Sequence, residues 1–270
     1  MEVAPGVHSI PAGSSKFMGM YAPNVFLVIG DRAALIDSGY FDAQTTGERL
    51  DYLMRLAHLK LAHILITHPH PDHIGGCWAI REATGAEIAI YAAGAAHLKN
   101  YGIAEDRLLA DGETLDIGGA IIKVIHTPGH TSDSVCFYLE ESGILFTGDH
   151  IVGFGTSVID TPGGDVAQYI ESLKHLLNLN IKLICPGHGP LIREPERKIR
   201  ELIDHRLERE QQVLNYLERG RRSVAELVSE IYPELDERLV ELARKQVQAH
   251  LTKLVQDGRV TVAGDSYILE

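Results

Sequence analysis

The 270-residue sequence contains no long hydrophobic run and few cysteines. No apolar stretch approaches the roughly 18 to 20 residues needed to cross a bilayer, and its start lacks the basic and apolar regions of a signal peptide. The three cysteines, Cys77, Cys136 and Cys185, are widely spaced among apolar residues, which is typical of free thiols in a reducing compartment. We therefore expect a cytoplasmic protein that does not associate with membranes.

Positive charge is also scarce. The formal net charge is −12 at pH 7, with 25 lysines and arginines against 37 aspartates and glutamates. Such a chain repels a phosphate backbone on average, although a local basic cleft can still bind nucleic acid. A hydrophobic content of 45% and a charged content of 23% are ordinary for a globular protein and exclude disordered and fibrous classes.

Short β-rich runs alternate with helical patterns, which predicts an α/β catalytic domain over residues 1–193. The predicted strands cover residues 25–29, 34–36, 64–67, 121–125, 135–139 and 144–147. The predicted helices cover residues 48–59, 74–83 and 166–177. Polar residues follow the strand ends, where the ligand sites of α/β proteins tend to lie: Asp37, His68, His130, Asp149 and His188.

The remaining segment, residues 194–270, predicts a linker helix followed by a winged-helix domain. Ser223 and Glu226 have the spacing of a capping box at the start of a helix. Asp236 can cap a further helix, and the last stretch predicts a hairpin that turns at Gly264 and Asp265. We find no internal repeat and no low-complexity segment in the sequence.

The stretch HPHPDH, residues 68–73, is the densest group of candidate ligands. Its prolines prevent helix formation, so His68 and His70 can point neutral imidazole nitrogens into one cavity. Together with the strand-end residues it provides seven candidates: His68, His70, Asp72, His73, His130, Asp149 and His188. Seven ligands are too many for one catalytic ion and about right for two.

We therefore predict a site for two divalent metal ions. A carboxylate can bridge two cations, and Asp149 is the acid placed for that role. Ligation by nitrogen and oxygen alone favours zinc, with manganese and iron as alternatives.

Five motifs, LIDSG, HPHPDH, TPGH, TGDH and PGHG, occur in this order and resemble those of the metallo-β-lactamase superfamily. The resemblance implies an αββα sandwich. It also implies a first metal held by three histidines, His68, His70 and His130. The second metal would be held by Asp72, His73 and His188. Asp149 would bridge the two ions, and Asp37 would orient the HPHPDH loop from outside the ligand set.

Differences from the motifs of individual branches show which branch of the superfamily the sequence resembles most. Enzymes that hydrolyse β-lactam antibiotics usually carry another residue in place of Asp149, and flavodiiron proteins have glutamate in place of His70. Nucleases with a β-CASP insertion need a large domain where only 38 residues separate Asp149 from His188. The sequence most resembles β-lactamase-like hydrolases with a C-terminal winged helix, the group that includes β-lactamase-like protein two. Known members include single-strand endoribonucleases and, among relatives, thioesterases.

We expect a binuclear hydrolase in which a metal-bridging hydroxide attacks an ester, thioester or related carbonyl substrate, with Asp72 and Asp149 orienting it. No lysine or arginine occurs in residues 153–164, which disfavours phosphodiesters. Apolar residues are instead available to line the cleft: Phe17, Met18, Met20, Tyr21 and Phe154. The alternative is cleavage of single-stranded RNA, guided by a basic cluster of Arg244, Lys245 and Lys253.

Two rival functions come from other classes. A winged helix suggests a DNA-binding regulator, but residues 205–270 contain 10 lysines and arginines against 12 aspartates and glutamates, a net charge of −2. We therefore expect no binding to duplex DNA, and expect the tail to cover the site, guide RNA or form a homodimer contact. The second rival, a mononuclear iron oxygenase, would leave Asp72, His73 and His188 without a metal.

Overall fold

The structure is a computed structural model that describes residues 1–10, 22–56 and 60–270. Its internal packing forms two compact units. The first unit consists of Met1–Thr127, Asp133–Thr156 and Leu179–Pro195. The second consists of Pro128–Ser132, Ser157–Asn178 and Glu196–Glu270. In the described residues, no helix combines the length and the apolar character that a membrane span requires.

The first unit contains a seven-stranded sheet whose strands follow one another in chain order. They are β1 (Glu2–Ala4), β2 (Val7–Ile10), β3 (Val25–Ile29), β4 (Arg32–Ile36), β5 (Lys60–Ile66), β6 (Glu87–Tyr91) and β7 (Arg107–Leu109). Strands β1 to β4 pair antiparallel, and β4 to β7 pair parallel. The carboxyl ends of β4, β5 and β6 therefore meet at one edge of the sheet.

A second sheet of five strands belongs to the same unit, in the order β12-β11-β10-β9-β8. Its strands are β8 (Thr114–Asp116), β9 (Ile121–His126), β10 (Val135–Leu139), β11 (Ile144–Gly148) and β12 (Leu183–Pro186). Strands β11 and β12 are parallel, while the other neighbours are antiparallel. The carboxyl ends of β11 and β12 consequently lie side by side.

The core of the first unit lies between the two sheets, where Phe26 of β3 and Phe146 of β11 meet with ring centroids 5.4 Å apart. Both faces of the central strands are buried. In β4, Ala34 and Ile36 face this core, whereas Ala33 and Leu35 belong to a second cluster on the other face. This two-sided burial explains why the strand is a continuous hydrophobic run.

Helices α1 (Ala43–Arg55), α2 (Pro71–Ile74), α3 (Cys77–Thr84) and α4 (Ala95–Lys99) complete the first unit. The single helix predicted for residues 74–83 is wrong, because the chain forms α2 and α3 with a break at Gly75 and Gly76. A Cβ atom at Gly75 would lie 2.1 Å from the Phe41 nitrogen, and one at Gly76 would lie 2.5 Å from the Ser38 oxygen. The break allows a close approach of two backbones that helical periodicity does not reveal.

The second unit contains the long helices and the winged helix. Its helices are α5 (Val166–Leu176), α6 (Pro195–Leu217), α7 (Val224–Ile231) and α8 (Val240–Gln256). Its three-stranded sheet, in the order β13-β15-β14, consists of β13 (Arg222–Ser223), β14 (Val260–Ala263) and β15 (Ser266–Leu269). The side chains of α6, α7, α8 and the hairpin form one apolar cluster.

The structure confirms two predicted features of the winged helix, the capping box and the hairpin turn, and corrects a third. Ser223 and Glu226 make both hydrogen bonds of a capping box at α7, and the hairpin turns at Gly264, whose φ is +66°. Asp236 does not cap α8 directly. It accepts a hydrogen bond from the Arg238 nitrogen in a short 3₁₀ turn, and α8 begins at Val240.

Candidate metal centre

Four of the five polar residues predicted at strand ends gather at one edge of the first unit. Asp37 directly follows β4, and His68 lies two residues after β5. Asp149 directly follows β11, and His188 lies two residues after the parallel neighbour β12. The parallel pairings thus bring residues that are distant in sequence to the same rim.

Asp37 organises the loop that carries the candidate ligands. Its carboxylate accepts hydrogen bonds from the backbone nitrogen of Thr67 at 2.8 Å, the Thr67 hydroxyl at 2.9 Å and Nδ1 of His73 at 2.7 Å. Asp37 is buried and has a left-handed φ of +59°, a conformation that aspartate tolerates better than most residues. Because Nδ1 of His73 donates to this carboxylate, Nε2 is the ring nitrogen that can bind a metal ion.

Thr67 is a part of the site that the sequence motifs did not reveal. Its hydroxyl donates to Asp37 and lies 3.0 Å from Nδ1 of His68, which can therefore donate to it. This relay leaves Nε2 of His68 as the acceptor nitrogen. The one sequence feature that could have indicated Thr67 is its position between the end of β5 and the first histidine of the HPHPDH segment.

The first half of the HPHPDH segment has the extended conformation that its prolines predict, whereas its second half, from Pro71, is helical. His70 is extended, with φ −73° and ψ 149°, and Pro71 begins α2. Nε2 of His68 and Nδ1 of His70 are 2.9 Å apart, and the rings of His68 and His73 have centroids 4.2 Å apart. Three imidazoles therefore share one small space.

Two sets of ligand atoms surround the Asp149 carboxylate within the first unit. One set joins Asp149 to His68 and His70. The other joins it to Asp72, His73 and His188. In each set the ligand atoms lie within 4.8 Å of one another. Asp149 is thus shared by both.

The spacing of the second set fits a common cation. The Oδ1 atom of Asp149 lies 3.3 Å from Nε2 of His73 and 3.4 Å from Nε2 of His188. Oδ2 of Asp72 lies 3.1 Å from the same nitrogen of His188. Ligand bonds of about 2.0 to 2.2 Å in a tetrahedral zinc site place neighbouring donor atoms ~3.4 Å apart. The donor types and their separations therefore suit a divalent metal ion.

His130, the remaining predicted ligand, belongs to the second unit and is buried there. Its Nδ1 donates to the carbonyl oxygen of Val158 at 2.6 Å, which leaves Nε2 as the acceptor. The preceding Gly129 has a φ of +139°, and a Cβ at that position would lie 2.3 Å from Cα of Tyr169. The TPGH motif therefore needs its glycine to pack against α5.

Two further glycines, Gly148 and Gly187, allow the chain to pack closely around Asp149. Gly148 has a φ of +47°, and a Cβ there would lie 2.4 Å from the Thr67 hydroxyl. A Cβ at Gly187 would lie 2.6 Å from Oδ1 of Asp149. The glycines of the TGDH and PGHG motifs are explained by this close packing around the carboxylate.

The charges of the site are strongly coupled. Burial opposes the charged form of His73, but the carboxylates of Asp149 and Asp37 outweigh it and raise its pKa well above the usual value. Burial likewise opposes the carboxylate of Asp149, but His73 and the neighbouring histidines hold its pKa well below the usual range. Burial is also outweighed at the Asp72 and His188 pair, whose hydrogen bond lowers the pKa of Asp72 and raises that of His188. The buried carboxylates thus require positive charge beside them.

Comparison with known proteins identifies the family. The Metallo-beta-lactamase superfamily matches residues 18–188, and the Beta-lactamase associated winged helix domain matches residues 223–267. The Beta-lactamase-like protein 2 homolog of Drosophila melanogaster is 33% identical over 260 residues, which cover 91% of this chain and 86% of the relative. These matches confirm the predicted resemblance and the predicted fold class.

Two other comparisons extend this result. The Atrochrysone carboxyl ACP thioesterase of Aspergillus fumigatus is 30% identical over 233 residues, covering 83% of this chain and 70% of the relative. The crystal structure of a Beta-lactamase domain protein from Burkholderia ambifaria shares the fold with a TM-score of 0.87 and 21% identity, covering 100% of this chain and 93% of that chain. The chain therefore belongs to the metallo-β-lactamase superfamily and is a metal-dependent hydrolase with a β-lactamase-associated winged helix.

Proposed function

We propose that the protein is a binuclear hydrolase that cleaves esters, thioesters or related carbonyl substrates. The observation that carries the proposal is the position of Asp149, whose carboxylate is common to two sets of ligand atoms. A single ion would use only one of these sets. Two ions joined by the shared carboxylate would use both.

In this proposal His68, His70 and His130 hold the first ion, and the second is held by Asp72, His73 and His188. Zinc is expected because all donors are nitrogen or oxygen, with manganese and iron as alternatives. When bound, such ions polarise a carbonyl group and lower the pKa of a coordinated water molecule. The assignment of His130 rests on its place in the TPGH motif and on its hydrogen bond from Nδ1 to the Val158 oxygen, which makes Nε2 the acceptor nitrogen.

The residues of the chain would contribute orientation and proton transfer. Asp72 and Asp149 would orient the attacking water, and one of these carboxylates would receive its proton. Asp37 would keep His73 in the correct tautomer through its 2.7 Å hydrogen bond. The site would thus be organised before the substrate arrives.

The choice of carbonyl substrates is supported by the charges of the winged helix. Lys245 forms an ion pair with Asp160 at 2.7 Å. Lys253 is bound by Glu210 at 2.8 Å and by Asp257 at 2.6 Å. Two of the three cations that could have guided an RNA strand are therefore neutralised within their own unit. Phosphate recognition would need cations available for the ligand.

Two further observations favour an acyl substrate. One relative carries the name of a thioesterase. In the loop after β11, Phe154 is exposed and provides an apolar side chain, as predicted for a carbonyl substrate. The other side chains predicted to line the pocket, Phe17, Met18, Met20 and Tyr21, lie outside the described residues.

Parallel assays of one metal-loaded preparation test the proposal. We expect turnover of acyl thioesters and two metal ions per chain by elemental analysis. Cleavage of unstructured RNA without thioester turnover, lost in the Asp149→Ala variant, would replace the carbonyl assignment by an endoribonuclease. A stoichiometry that stays at one ion after reconstitution would refute the binuclear site.

A further inference from the structure

Four exposed aromatic side chains lie near the candidate metal centre in the first unit, and we call them the aromatic shelf: Tyr40, Phe41, Trp78 and Tyr101. Their exposed fractions range from 42% to 63%. Large aromatic side chains bury much of their surface in most proteins, so several exposed ones close together indicate a surface that binds something.

The shelf is held against the segment that carries Asp72 and His73. The backbone nitrogen of Ser38 donates to the His73 oxygen at 2.7 Å, and the Gly75 nitrogen donates to the Gly39 oxygen at 2.7 Å. Any side chain at Gly75 would collide with the backbone of Phe41. Tyr40 and Phe41 therefore lie directly beside the chain segment that follows the ligands.

The order of the strands in the sheet relates Tyr101 and Trp78 to the position of Phe41. The rings of Phe41 and Tyr101 are stacked, with centroids 6.0 Å apart and an interplanar angle of 28°. Phe41 follows β4 and Tyr101 follows β6 and α4, while β5, which lies between these strands, leads to His68. Trp78 lies in the first turn of α3, two residues after Gly76. Phe41 and Tyr101 thus lie at the rim that carries the candidate ligands, and Trp78 lies in the helix that follows the HPHPDH segment in the chain.

The composition of the shelf indicates the chemistry of its ligand. Residues 73–80 contain no aspartate, glutamate, lysine or arginine, and neither do residues 38–41. A phosphate or a nucleic-acid backbone would find no cation in these segments. Lys99, two residues before Tyr101, is paired with Glu105 at 3.1 Å. An apolar group would gain from burial against the aromatic faces.

We propose that the aromatic shelf binds the apolar acyl group of the substrate and makes the enzyme selective for longer acyl thioesters over acetyl thioesters. This inference rests on the proposed function, since it assigns the acyl end of the same substrate. The thioester carbonyl would lie at the metal centre, and the hydrocarbon chain would extend over Phe41 and Tyr101.

The first experiment compares the neutral acetyl and octanoyl thioesters of N-acetylcysteamine as substrates of the metal-loaded protein. We expect a higher kcat/KM for the octanoyl thioester, with the ratio reduced about tenfold in Phe41→Ala, mainly through KM. Tyr101→Ala should reduce the same ratio independently. Ile121→Ala is the matched control, because Ile121 is also exposed but begins β9, at the end remote from the rim.

The second experiment measures binding without catalysis. Trp78 is the only tryptophan in the sequence, so its fluorescence reports on the shelf alone. In the metal-loaded protein, octanamide should shift its emission to shorter wavelength, whereas acetamide should not. The shift should be lost in Phe41→Ala and retained in Ile121→Ala.

The two readouts separate the inference from the proposed function. Absence of thioester turnover together with an octanamide shift would refute the carbonyl assignment and leave the shelf as an apolar binding site. Turnover with an unchanged octanoyl preference in both Phe41→Ala and Tyr101→Ala would overturn the inference. Loss of the preference in Ile121→Ala to the same degree would also overturn it.

Discussion

His73 in the first unit and His250 in the second are both fully buried, with 0% of each residue exposed. Burial opposes the charged form of both, but their neighbours differ. The carboxylates of Asp149 and Asp37 raise the pKa of His73 well above its usual value. At His250 burial, reinforced by the guanidinium groups of Arg206 and Arg209, lowers the pKa to about 3. Equal burial thus produces opposite protonation, because the neighbouring charges decide it.

The buried polar residues around His73 and those around His250 therefore have different roles, the first in binding a cation and the second in packing. Around His73 three carboxylates, Asp37, Asp72 and Asp149, lie within 3.9 Å of its ring nitrogens, and buried negative charge of this kind is stabilised by a cation beside it. In the second unit the polar side chains are engaged with one another. Arg206 donates to Gln246 at 2.7 Å, and Glu210 accepts from both Lys253 and Arg259. That cluster holds α6, α8 and the hairpin together.

The largest effect on activity is expected when the carboxylate of Asp149, which both sets of ligand atoms share, is removed. Asp149→Ala should reduce hydrolysis by more than about a hundredfold, because partners one step further from a metal already account for 10- to 100-fold. Turnover of a thioester probe and circular dichroism would separate lost activity from lost fold. Asp51→Ala, at an exposed position on α1, is the control. Near wild-type turnover in Asp149→Ala would contradict the role of the carboxylate.

A smaller effect is expected when only the orientation of the ligands is disturbed. Asp37→Asn keeps a residue that tolerates the left-handed φ of +59°, but the amide cannot accept hydrogen bonds with both of its terminal atoms. Metal affinity should fall by about 10- to 100-fold, measured by competition with a chelator. An affinity equal to that of Asp51→Asn would show that Asp37 serves the fold alone.

In the second unit, His250 is expected to make the free energy of unfolding depend on pH. The pKa of His250 is about 3 in the folded chain, against an ordinary value of 6.5, so the unfolded chain binds the proton more readily. The stabilisation that His250 provides as a neutral residue is complete above about pH 6.5 and is lost as the pH falls towards 3. Between pH 6.5 and pH 5 the loss should be about 2 kcal/mol.

His250→Leu removes this titration and sharpens the comparison. Denaturant unfolding of both proteins at pH 7.5 and pH 5 should show a smaller loss of unfolding free energy in the variant. Groups such as His73 titrate in both proteins and cancel in the difference. An equal loss in the two proteins would mean that His250 is not protonated on unfolding.

The smallest effect is expected in the binding of duplex DNA. The tail has a net charge of −2 over residues 205–270, and Lys245 and Lys253 are paired with acids of the second unit. Duplex DNA should therefore give no mobility shift at physiological salt. A salt-sensitive and sequence-dependent shift would restore the regulator hypothesis.

Local patterns predicted much of the fold and of the candidate site. Strands β3, β10 and the hairpin at Gly264 appear where the β-rich runs and the turn residues indicate them. The prolines of HPHPDH predict the extended form of its first half, and ligand-type residues at strand ends predict a common rim. These features depend on neighbours in sequence or on the rule that parallel strands end at the same edge.

The sequence by itself thus determined the strands, the motif order and the chemistry of the candidate ligands. Tertiary structure alone decided the break at Gly75 and Gly76, the role of Thr67 beside Asp37, and the stacking of Phe41 on Tyr101. It also decided that Lys245 and Lys253 are neutralised. Each of these depends on a close approach between segments that are distant along the chain, and the spacing of residues within one segment carries no information about such contacts.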